Sequence, residues 1–154
     1  MRESTIQPLA IVTVLFKAAN EDDLVALLQG FGAQEEMPGW LWNYPANETA
    51  LLEINMYPDI GAYEMDLALY ALEPWRHFID HVLGWEPSAM LDVHVWNGPN
   101  AVESARAFVT TALEHHDGGA VDGLRDHVWT YEQVRGQSWV DGKRFLDKHD
   151  NPAS

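Results

Sequence analysis

Apolar and polar positions along this chain follow a period of two in some stretches and of about 3.6 in others, and each switch marks an element. Leu9 to Lys17 is an apolar run centred on Ile11, Val12, Thr13 and Val14, which predicts a buried strand. Asn20 then offers a helix N-cap, followed by Glu21, Asp22 and Asp23 where carboxylates favour the positive helix end. Leu24, Leu27 and Leu28 give that helix its apolar stripe, and Gly30 and Gly32 end it. Trp40 to Tyr44 and Ala50 to Tyr57 read as two strands joined by the turn-like Pro45-Ala46-Asn47-Glu48, a hairpin. Residues 62 to 72 fit both periods: Met65, Leu67, Leu69 and Ala71 alternate, while the Ala and Leu content suits a helix; the alternation favours a strand.

Pro74 suits the first position of a helix reaching about Leu83, with Trp75, Phe78, Ile79, Val82 and Leu83 on one face and Gly84 closing it. Met90 to Trp96 is a further strand. Asn100 with Glu103 matches a capping box, and Ala105, Phe108, Val109, Ala112 and Leu113 mark the buried face of the helix that follows, with His115 and His116 at its negative end. Asp117 to Asp126 reads as a loop. Thr130 to Gln133 is a second capping box, opening one or two helical turns ended by Gly136, and Asp141-Gly142 is a type I′ hairpin signal.

This order predicts an α+β fold: an antiparallel or mixed sheet with helices packed on one face, ferredoxin-like in its core with a C-terminal hairpin. No repeat or linker divides the sequence, so residues 1 to 154 are expected to form a single domain, with residues 149 to 154 as a frayed tail. The 47% apolar content and 17 aromatic residues supply a core, and the absence of cysteine removes disulfides, thiolate nucleophiles and Cys-ligated metals. The apolar run near the N-terminus is short for an export signal, and no segment approaches the roughly 18 apolar residues of a membrane helix. A cytoplasmic protein without a membrane partner is the expectation.

Charge changes the picture most. From Ala18 to Trp75 there are 11 carboxylates and no Lys, Arg or His. Extended to Ala105, 15 carboxylates stand against the single Arg76, which places −14 of the formal net charge of −15 in that stretch. Such a chain repels nucleic-acid phosphates and anionic lipid, and its natural complement is a basic protein partner, met at a rate that salt would lower. The plainer account is a solubilising acidic surface. Trp40 and Trp42 share one parity beside Glu35, Glu36 and Glu48, so these five residues are the candidate partner-binding set, with core packing as the alternative for the two indoles. Trp75, Trp96 and Trp129 read as structural.

His77-Phe78-Ile79-Asp80-His81 is the sharpest chemical motif, because imidazoles at i and i+4 can share one divalent metal and H-x-x-D-H is one carboxylate change from an inverted zincin pattern. A helical wheel sets His77, Asp80 and His81 opposite the apolar stripe, which equally describes a solvated helix face. His94 and Glu73 are the candidates for a further ligand. His115, His116 and Asp117 are accounted for by the helix dipole, the Asp117–Asp126 segment lacks calcium-loop spacing, and no nucleophile elbow or phosphate loop is present.

The run Asp126-His127-Val128-Trp129-Thr130, followed by Glu132, Gly136, Gly142, Phe145 and Asp147, resembles an ending found in small bacterial proteins and in immunity proteins of polymorphic toxin systems. That resemblance covers about 22 residues and carries no catalytic motif. It implies a small acidic α+β bacterial protein, non-enzymatic, that neutralises a basic toxin by occluding its active site. The sequence therefore reads as a binding protein with no cofactor. The alternatives are a metal-dependent hydrolase built on His77, Asp80 and His81, and a small-ligand binder with a Trp-lined pocket.

Overall fold

A computed structural model describes residues 10–36, 39–43, 50–58, 77–96, 98–122 and 127–146. The first apolar run becomes strand β1 (Ala10–Phe16), in which Val12, Val14 and Phe16 are fully buried on one face while Ile11 and Thr13 alternate onto the other. Helix α1 (Glu21–Phe31) follows. Asn20 caps it through a reciprocal pair: its side chain accepts from the Asp23 backbone N–H at 2.9 Å, and its own N–H donates to the Asp23 carboxylate at 3.0 Å. Gly30 lies inside the helix; the chain leaves it at Gly32, whose φ of 99° is the left-handed value that glycine adopts without strain.

Strands β2 (Gln34–Glu36), β3 (Gly39–Asn43) and β4 (Ala50–Tyr57) then run antiparallel, β3 and β4 forming the expected hairpin with a register shift at Trp42/Asn43. The turn at 45–48, the segment 62–72, the helix opening at Pro74 and the tail 149–154 lie outside the described residues. From His77 a helical stretch widens into a π-helical turn (Ile79–Leu83), closed by Gly84 at φ 82° with its N–H on the Ile79 carbonyl at 2.9 Å. Phe78, Ile79 and Leu83 are buried as expected, but Val82 is 36% exposed, because a widened turn rotates it off the apolar stripe.

Strand β5 (Ala89–Val95) leads into helix α2 (Gly98–His115). This helix starts two residues before Asn100, so Asn100 lies in its first turn rather than at its cap. Ala105, Phe108, Val109, Ala112 and Leu113 are buried as the spacing requires. The expected loop after Asp117 contains an edge strand, β6 (Gly118–Val121). Two glycines conceal it from pattern reading, and packing explains them: a Cβ on Gly118 would collide with the Leu15 carbonyl oxygen, and one on Gly119 with the Val128 side chain. Thr130 caps the short helix α3 (Tyr131–Gly136) with Gln133 as its reciprocal partner, and the cap falls on Gln137. Asp141 and Gly142 both have positive φ between the bridged residues Val140 and Lys143, as a type I′ turn requires.

The six strands form one antiparallel sheet in the order β2-β3-β4-β5-β1-β6. Within it, β4-β5-β1-β6 with α1 and α2 is the ferredoxin-like arrangement that the order of elements suggested, extended at one edge by β2 and β3. The main core lies between the sheet and α1, α2 and α3: Val12, Val14, Phe16, Leu52, Ile54, Leu91, Val93 and Val95 meet Leu24, Leu28, Val102, Phe108 and Val109. A smaller cluster on the opposite face, Leu15, Phe78, Ile79, Leu83, Met90 and Val121, seats the π-helical turn over one end of the sheet. Beyond that end, the described residues of this face include Thr13, Glu53, Asn55, Asp92 and His94, with Ile11 among them. Among the described residues, no helix is long and apolar enough to cross a membrane.

Candidate functional site

The polar part of the second face is built by alternation alone. Leu52, Ile54, Leu91, Val93 and Val95 face the helices, so Glu53, Asn55, Asp92 and His94 must face the other way. Antiparallel register then sets Glu53 opposite His94, Asn55 opposite Asp92, and on the far side of β5 Ile11 opposite His94 and Thr13 opposite Asp92. Glu53, Asn55, Asp92, His94 and Trp96 are half-buried, and Ile11 is 44% exposed.

Hydrogen bonds fix the two carboxylates. The Trp96 indole Nε1–H donates to Glu53 Oε1 at 3.2 Å, and the Thr13 hydroxyl donates to Asp92 Oδ1 at 3.1 Å. The Trp96 donor is neutral, so it orients the Glu53 carboxylate without cancelling its charge. The His94 and Trp96 rings lie 6.3 Å apart at 50°. Strands β1 to β5 contain no Lys or Arg, and the basic side chain they bring to this surface is His94, opposite Glu53.

The partner-binding set inferred from sequence falls on the edge hairpin. Glu35 is exposed on β2 opposite Trp40, Glu36 pairs with Gly39, and Trp42 pairs with Leu52. Glu48 lies outside the described residues. Trp40 is only 5% exposed and belongs to the main core, so of its two sequence readings it fulfils the packing one. What sequence reasoning passed over is the group Glu53, His94 and Trp96. A signal existed, since all three sit at the polar positions of runs whose other parity is wholly apolar, but joining them required the β4–β5 register.

His77, Asp80 and His81 are all exposed, with the two imidazole centroids 4.4 Å apart at 40°. Among the described residues, no three His, Asp or Glu side chains are gathered for a metal ion. An open hollow beside the turn is lined by Ile79, Asp80, Gly84, Trp85 and Glu86. Lys17 reaches over the Trp85 ring at 5.4 Å and pairs with Asp117 at 3.6 Å.

In the described part of the C-terminal run, Trp129, Thr130 and Phe145 serve the fold. Trp129 is 3% exposed and exchanges backbone bonds with Ala120, which covers the outer edge of β6. His127 Nε2 lies 3.0 Å from Gln133 Oε1, and Thr130 caps α3. Phe145 is buried against Trp129, and the buried Arg106 guanidinium donates to the Phe145 and Leu146 carbonyls at 3.1 and 3.3 Å. Asp122 holds the Leu146 N–H at 3.0 Å. No protein-family model, curated protein or solved structure matches the chain.

Proposed function

We propose that this chain is a non-enzymatic binding protein that docks a basic protein partner on the polar face and β2 edge of its sheet. One observation carries the reading: Glu53 stands half-buried among strands that contain no Lys or Arg, and the indole that orients its carboxylate is neutral, while Glu35 is exposed on the edge strand β2. An acidic surface speeds encounter with a cationic protein and selects against nucleic acid. The short C-terminal likeness to toxin-system immunity proteins agrees in class, and by that likeness the partner is a basic toxin.

The test is co-purification with a retained protein from the native host, then measurement of that pair's affinity across ionic strength. Affinity is expected to weaken about tenfold or more between low and high salt, a change of about 1.4 kcal/mol or more. A neutral or acidic partner, or an affinity indifferent to salt, would overturn the reading. The rival chemistry at His77, Asp80 and His81 has the adjacency of two imidazoles in its support. Stoichiometric divalent metal in protein purified without chelator or affinity tag, lost on His77→Ala, would decide for it.

A further inference from the structure

We propose that Glu53, Trp96 and His94 form the seat for an arginine side chain of the basic partner, an inference that rests on the docking role just described. The Glu53 carboxylate is held in place by the Trp96 indole N–H on Oε1 at 3.2 Å, and among the described residues its Oε2 has no hydrogen-bond partner. That oxygen is an oriented acceptor on a half-buried side chain. Beside it stand two aromatic rings, Trp96 and His94, and across β5 the exposed Ile11. The group that uses all of these is a guanidinium. Its planar fork of N–H donors matches a carboxylate, its flat face stacks on indole, and its aliphatic stem covers an apolar neighbour.

The molecule already places its own cations on indole elsewhere: Lys17 lies 5.4 Å from the Trp85 ring centre and Arg144 lies 5.1 Å from that of Trp139. Among the described residues, no Lys or Arg occupies the corresponding position at Trp96. Strands β4 and β5 beside Trp96 supply no such side chain, and the proposed occupant is an arginine of the partner. An ammonium would satisfy the carboxylate and meet the ring as a point charge, without the flat stacking, so arginine is preferred to lysine.

The test uses the whole protein, octa-arginine and octa-lysine peptides as probes, and the Trp96 indole N–H resonance, assigned through Trp96→Phe. Octa-arginine is expected to move that resonance saturably and to bind about threefold or more tighter than octa-lysine, a preference that shrinks in Trp96→Phe. Glu53→Gln is expected to weaken octa-arginine about threefold or more, beyond the effect of Glu35→Gln, which removes the same charge at the sheet edge. If both peptides bind in a salt-dependent way while the Trp96 signal stays still, or if Glu35→Gln weakens binding as much as Glu53→Gln, the seat is refuted and the broader docking reading stands. If neither peptide binds at low salt, both fall.

Discussion

Along β5, Leu91, Val93 and Val95 are fully buried against the helices, while their neighbours Asp92, His94 and Trp96 keep partial contact with water on the other side. The two faces of this sheet answer different demands. The helix face is a close-packed layer in which Phe31 meets Phe108 edge-on at 5.0 Å, and the buried Arg106 is satisfied by the Phe145 and Leu146 carbonyls. On the other face the described apolar cluster gathers at one end, where Leu15 and Met90 meet the π-helical turn, while Thr13, Glu53, Asp92 and Trp96 along the strands are tied by hydrogen bonds. A fold needs only the first kind of surface to be stable. Oriented carboxylates and aromatic rings facing water contribute little to stability, which is why they bear on recognition.

The contrast predicts a steep gradient of mutational cost. Leu52 sits at 0% exposure between Trp42 of β3 and Val95 of β5, so Leu52→Ala should lower the unfolding free energy by about 2–5 kcal/mol, read from urea denaturation followed by near-ultraviolet circular dichroism. A loss under about 1 kcal/mol would mean that the helix-side layer is loosely packed, and the distinction between the faces would dissolve. Where β6 pairs with β1, opposite Phe16, Gly118→Ala would drive a Cβ into the Leu15 carbonyl oxygen and push β6 from β1. The expected cost is about 1–3 kcal/mol, with faster amide exchange at the Leu15 and Gly119 N–H groups. Unchanged exchange there would show that the edge yields freely and that the close approach is not needed.

How much of this could be read beforehand depended on how local the signal was. The caps at Asn20 and Thr130, the I′ turn at Asp141-Gly142 and the buried stripe of α2 are each written within a few residues, and each forms as its pattern requires. The start of α2 was misplaced, since Asn100 has the right residue type but stands inside a helix that opens at Gly98. Strand β6 was missed for a related reason: its glycines answer to Leu15 and Val128, distant in sequence, and carry no alternation of their own. The grouping of Glu53, His94 and Trp96 is hidden from the sequence in the same way. Glu53 and His94 are 41 positions apart, and only β4–β5 pairing makes them neighbours. Trp40 could be read two ways because an indole on a short strand serves a core or an interface equally well; burial decided it.

The smallest effect tests the comparison most closely, because it falls one residue away from the largest. Glu53 follows Leu52 directly and points to the opposite face. In Glu53→Gln the amide oxygen still accepts the Trp96 indole N–H, the side-chain volume is kept, and one carboxylate is removed from a stretch with 15 of them and a single arginine. The unfolding free energy should therefore move by less than about 0.5 kcal/mol, with relief of like-charge repulsion offsetting any loss in the hydrogen bond. The same change should weaken capture of a basic partner, so stability and affinity would separate at adjacent positions of one strand. A stability loss approaching that of Leu52→Ala would place Glu53 among the groups that hold the sheet together, and its carboxylate would then owe its position to folding rather than to an occupant.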